Sequence, residues 1–195
     1  MVNRFFYAFT LQMKKGVLKM FPSAIVTIKE VILWEYARLM SEEAVGDRNN
    51  WRLTLHHFER LNYDKNRWMH ILKEEVKVDP NKCIYCGGEE ELSVTRIVPK
   101  QMCPLAEIHN NIRACKKCNS LKGGKDLVEW WVFEGRDKIP RGAMAKYLKI
   151  LYACHECNGT SDGCALDECG KHDLVYLGYI FQEPCDPAKC AKHTA

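Results

Sequence analysis

Cys83 with Cys86 and Cys115 with Cys118 form two Cys-x2-Cys pairs, and these residues carry the clearest chemistry in the chain. Each pair places two thiolates on one tight turn and so supplies half of a tetrahedral shell for a soft divalent ion. Two pairs make four sulfur ligands. A closed four-thiolate shell leaves no position for water, so an ion held there braces the fold and does not hydrolyse. Disulfides or buried free thiols are the alternatives. Against them stand the strain of bridging so short a spacing and the residues Gly87 and Asn119, which follow the second cysteine of each pair as in zinc knuckles.

The segment around these pairs is locally basic. From Ser93 to Lys125, the residues Arg96, Lys100, Arg113, Lys116, Lys117, Lys122 and Lys125 face a single acid, Glu107. The whole chain carries a formal charge of only +4, so the bias belongs to this segment. Clustered Lys and Arg neutralise phosphates and make binding fall steeply with salt. A solvated zinc-ribbon surface is the blander reading of the same residues.

Six further cysteines follow: Cys154, Cys157, Cys164, Cys169, Cys185 and Cys190. They are enough for a second zinc site, with His172 or His193 as substitute ligands. Cys164, Cys169, Cys185 and Cys190 give two matching Cys-x4-Cys half-sites and are the favoured set, whereas Cys154 and Cys157 have the better chelate spacing and stay open as the alternative. A redox use of Cys154-His155-Glu156-Cys157 finds no βαβ pattern around it.

Three helical stretches must position this chemistry from the N-terminal side. Ile28, Val31, Ile32, Tyr36, Leu39 and Met40 follow one helical face that ends near Gly46. Trp51, Leu55 and Phe58 predict a second helix, and Trp68, Ile71 and Leu72 a third that stops by Asp79-Pro80. Ahead of them lies a basic and apolar head, in which Arg4, Lys14, Lys15, Lys19 and Lys29 precede the first acid, Glu30. It reads as a packed helix or an interaction arm more readily than as a transit segment. Beyond the cysteine pairs, Leu127, Trp130, Trp131 and Phe133 can cap the module. Ile139-Pro140 then opens an amphipathic helix bearing Tyr147, Leu148, Leu151 and Tyr152, with Lys146 and Lys149 between them.

Composition narrows the class. With 47% hydrophobic residues the chain can build a core, and no apolar run reaches the length of a transmembrane helix. Eleven cysteines cannot all pair as intramolecular disulfides, and no secretory signal is evident, so thiolate–metal chemistry in the cytoplasm is the expectation.

The ordered elements CIYCG, LSVTRIVPK, HNNIRACKKCN and SLKGGKD, spanning roughly Lys82 to Asp126, resemble the core of HNH (ββα-metal) endonucleases that carry a four-cysteine zinc site. The resemblance implies two antiparallel strands and a helix around a catalytic Mg or Mn ion, with the cysteine pairs clamping the hairpin. It implies that Asn110 is the middle Asn, which orients the catalytic histidine, and that Asn119 is the late metal ligand. The acidic residue and the histidine expected before Ile97-Val98-Pro99 fall on Thr95 and Arg96. Arg cannot serve as a base near neutral pH and Thr supplies no carboxylate, so hydrolysis and metal binding should both suffer. His109 is the one neighbouring residue that could replace the base.

The resulting expectation is an α+β, mostly helical protein with N-terminal helices over 1–80. A zinc-stapled ββα module occupies 81–135, and a helix with a Cys-rich tail occupies 136–195. The favoured function is a pseudoenzyme that grips DNA or structured RNA without cleaving it, within a larger nucleoprotein assembly, using Arg96, Lys100, Arg113, Lys116, Lys117 and Lys122. The alternatives are an active endonuclease working through His109, Asn110 and Asn119, and a zinc scaffold that binds protein.

Overall fold

A computed structural model of the chain describes residues 25–63, 79–99, 110–131, 135–165 and 177–182. The architecture is α+β and mostly helical. Helices α1 (Ile28–Val45) and α2 (Trp51–Tyr63) precede a two-stranded antiparallel hairpin of β1 (Leu92–Arg96) and β2 (Asn111–Cys115). Then come α3 (Lys116–Lys122), the single turn α4 (Leu127–Trp130), the long α5 (Arg141–Asn158) and a closing 3₁₀ segment, Gly178–Gln182. The third predicted helix, the basic head up to Lys19 and Phe133 lie outside the described residues, whereas Lys29 falls on the first turn of α1.

Local sequence explains the ends of α1. Thr27 caps it through a hydroxyl that accepts from Glu30 N–H, while the Glu30 carboxylate accepts from Thr27 N–H at 2.9 Å. Gly46 stops it in the left-handed conformation, φ 72°, where glycine has no Cβ to clash. α5 starts one residue later than the proline suggests: Pro140 is its N-cap and Arg141 its first helical residue.

The amphipathic face expected for α1 becomes a helix buried nearly all round, from Ile28 to Leu39. It packs against both α2 and α5. Burial on all sides encloses charge, and the charge is paired internally. Arg38 donates to both Glu35 oxygens at 3.2 and 3.0 Å, to Asp137 at 2.6 Å and to Asn49 at 3.0 Å. Burial opposes the Arg38 charge, yet the two carboxylates raise its pKa above the ordinary value. Removing one partner of such a pair would strand the other.

The side chains of α1, α2 and α5 share one hydrophobic cluster with Ile97 and Val98 after β1 and with Ile112 and Ala114 of β2. That cluster fixes the hairpin's position. No helix among the described residues is long and apolar enough to cross a membrane.

Candidate metal centre

β1 and β2 pair in a register that sets Leu92 opposite Cys115 and Arg96 opposite Asn111. β2 runs without a linker into α3, so Cys115 closes the strand and Cys118 occupies the first turn of the helix. The Cys115 sulfur caps that helix, accepting from Cys118 N–H at 3.5 Å. Cys83 and Cys86 sit on a knuckle in which Cys83 N–H donates to Gly88 O at 2.7 Å and Gly87 N–H to Cys83 O at 2.8 Å. Gly87 adopts φ 74° to make the turn. The knuckle is strapped to β2 where Ile84 N–H donates to Arg113 O at 3.0 Å.

These two scaffolds bring all four sulfurs within 4.8 Å of one another, with Cys86 Sγ and Cys115 Sγ 3.8 Å apart. A tetrahedron with arms of about 2.3 Å, the zinc–thiolate length, has edges of about 3.8 Å. The donor set therefore fits a structural zinc ion in both chemistry and spacing. Tyr85 seals one side with its ring edge against Trp130, centroids 5.0 Å apart, and Trp131 lies beside it.

Without a cation, four thiolates this close cannot all stay ionised. Burial raises the Cys83 thiol, but the N–H groups of Cys115, Cys86 and Tyr85 outweigh it and hold the group at about 7. Cys118 is pushed far up by burial and then by its sulfur neighbours Cys115, Cys86 and Cys83. One cysteine ready to ionise beside one that resists is the arrangement a divalent ion resolves, since coordination deprotonates thiols outright.

Next to the sulfurs, the hairpin and α3 enclose a second arrangement. Thr95 Oγ1 donates to Asn119 Oδ1 at 2.8 Å, so the end of β1 is tied to α3 by a neutral bond. Asn110 is fully buried, and its amide grips the backbone after β1: Val98 N–H donates to Oδ1 at 2.8 Å and Nδ2 donates to Val98 O at 2.7 Å. Arg96 is half-buried at the mouth of a cleft of about 550 Å³ that Thr95, Asn111 and Lys122 also line.

The basic residues divide by burial. Arg113, Lys116 and Lys117 are exposed on β2 and the first turn of α3. Lys122 departs from the expectation of an exposed phosphate contact: it is only 3% exposed, and Nζ donates to Lys125 O at 2.9 Å. Burial lowers its pKa to about 8 although Asp126 nearby pulls it upward. Its position on the last turn of α3, against the core, explains the difference.

Lys100 and His109 lie outside the described residues, as do Cys169, His172, Cys185, Cys190 and His193. Among the described residues, the four paired cysteines are the sole group arranged to hold a metal ion. Cys164 is exposed, in a bridge with Thr27, whereas Cys154 and Cys157 are buried on the last turns of α5. Lys146, between the apolar positions of α5, donates from Nζ to Asn111 O at 3.2 Å, a contact that depends on how α5 packs and that no local pattern encodes.

No family model matches the chain, and neither a curated protein nor a solved structure does.

Proposed function

We propose that the chain is a zinc-stapled, HNH-like module that binds DNA or structured RNA without hydrolysing it, as one subunit of a nucleoprotein assembly in a reducing compartment such as the cytoplasm. The observation that carries this reading is the exposed basic run Arg113, Lys116 and Lys117, set on the same strand–helix junction that supplies two of the four sulfurs. A metal-braced junction holds those cations at fixed spacing before a strand arrives, so less entropy is lost in ordering them on binding.

The noncatalytic half of the reading is supported at Thr95 and Arg96. Hydrolysis in the HNH manner needs a carboxylate and a base beside the late ligand Asn119. Here the Asn119 oxygen accepts from a threonine hydroxyl, and the neighbouring side chain is a guanidinium, which offers donors and no lone pair to take up a proton.

The test is one set of samples scored twice, for gel shift and for cleavage, with labelled DNA and RNA in the presence of Mg2+, Mn2+ or chelator. Binding without cleavage is the expected result. Lys116→Ala with Lys117→Ala should weaken binding across all sequences and reduce the salt slope by about 2. Unchanged affinity in that double variant sinks the phosphate-contact reading. Metal-dependent cleavage that disappears in His109→Ala would instead make the chain an active nuclease, and neither binding nor cleavage would leave a protein-binding scaffold.

A further inference from the structure

The cleft beside the metal centre has a composition that the zinc staple does not explain. Thr95 and Arg96 line it from the end of β1, Asn111 from the start of β2, and Lys122 and Gly124 from the end of α3 and its following loop. At about 550 Å³ it falls within the range of ligand-sized clefts, roughly 300–1,000 Å³. None of its lining among the described residues is acidic, and two of those residues are cationic. The loop wall keeps a low profile. Gly123 takes φ 54°, ψ −136°, which side chains disfavour, and a Cβ built on Gly124 would meet nothing within 4 Å.

The geometry points to a seat for one phosphate monoester, either a mononucleotide or the phosphorylated end of a strand, held between Arg96 and Lys122. Shape selects the monoester first: it can end in the cleft, whereas an internal phosphodiester must leave it in two directions. Charge adds to this, since a monoester's roughly two negative charges near neutral pH gain more than a diester's one from Arg96 and from Lys122, whose charge Asp126 offsets in part. Arg96 offers a planar fork of donors suited to phosphate oxygens. Lys122 commits one N–H to Lys125 O, and an ammonium has three. The Thr95 hydroxyl and the Asn111 amide add neutral polar groups to the same walls. The strand-end part of this inference rests on the nucleic-acid reading; the monoester seat does not.

Proton linkage follows from the groups around Lys122. Asp126 is the acid that faces it, Arg96 is the other cation lining the cleft, and Lys146 reaches Asn111 at the rim. The phosphate loses its second proton at about pH 6 and is mostly doubly charged above about 7, and Lys122 loses its proton above about 8. Affinity should peak between those limits and fall on the alkaline side.

Calorimetry on the zinc-loaded full chain with thymidine 5′-monophosphate, thymidine 3′-monophosphate and thymidine tests the seat. Gel shifts with strands ending in 5′-phosphate, 3′-phosphate or only hydroxyls test the strand end. A monoester should bind one to one and at least about tenfold more tightly than the nucleoside. Arg96→Met should remove about tenfold. Gly124→Leu should abolish the preference by filling the cleft while leaving the urea midpoint unchanged. Equal binding of monoester and nucleoside, or monoester binding indifferent to Gly124→Leu, overturns the inference. Strand binding without monoester binding also overturns it and leaves the nucleic-acid reading standing. Monoester binding with no strand binding does the reverse, and monoester binding without preference among strand ends assigns the seat to mononucleotides.

Discussion

Asn110→Ala should be the most damaging single substitution in the hairpin outside the cysteines. Its amide satisfies Val98 N–H and Val98 O at 2.8 and 2.7 Å, and both Asn110 and Val98 have no exposed surface. Truncation leaves two buried backbone groups without their partners, at about 1–3 kcal/mol each. The sum, about 2–6 kcal/mol, is a large part of the roughly 5–15 kcal/mol that holds a domain of ordinary stability. Two controls separate hydrogen bonding from volume. Asn110→Asp keeps the shape but turns an acceptor toward Val98 O, so it should be at least as harmful as alanine. Leu121→Ala, on an exposed side chain of α3, should stay within about 0.5 kcal/mol of wild type. Urea unfolding of the zinc-loaded chain gives the free energies, and amide exchange at Val98 reports the local loss. If Asn110→Ala falls within about 1 kcal/mol of wild type with Val98 still protected, the clamp contributes nothing and buried pairing is not what holds the hairpin.

Two other outcomes bear on the centre and the helical core. Cys115→Ala should cost more than Cys86→Ala, because alanine at 115 removes the sulfur that also caps α3 whereas Cys86 is exposed and caps nothing; zinc content and helical circular dichroism read the difference, and equal losses would deny the capping role. His155 is wholly buried, and burial lowers its pKa to about 4, with the Leu177 carbonyl opposing that shift in part. The unfolded chain, with a pKa near 6.5, then binds more protons than the native one between those values. Stability is therefore complete above about pH 6.5 and declines as pH falls toward about 4, by up to roughly 3 kcal/mol. Denaturant titrations from about pH 7.5 to about 5 should show a shallower decline in His155→Gln, and parallel curves would exclude the histidine as the cause.

Much of the local structure was legible because it is written in short spacings. The Cys-x2-Cys pairs, the stop at Gly46 and the helix carrying Tyr147 and Leu148 all depend on residues within a turn or two of each other. The burial of α1 on nearly every side was not legible, since Glu35 and Arg38 look like a solvated pair until Asp137, 99 residues beyond Arg38 in the chain, is packed against them. Lys122 misled for the same reason: a lysine in a basic run reads as exposed, and only the packing of α3 against the core turns it inward. The resemblance assigned Asn110 to orienting a histidine. In this structure its amide has both of its bonding groups occupied by the backbone of Val98.

The enclosure of α1 also sets a schedule for biosynthesis. α1 emerges early, but one of the two helices that cover it is α5, which is complete only at Asn158. At translation rates of about 5–20 residues per second, roughly 110 residues of further synthesis leave the apolar sides of α1 uncovered for on the order of 5–20 s. The hairpin and its four cysteines are finished within that interval and depend on none of α5 for their sulfurs. A metal ion suited to those four sulfurs would thus close the middle of the chain while α1 still waits for a partner, and a shortage of that ion would leave two unfinished pieces on the ribosome at once.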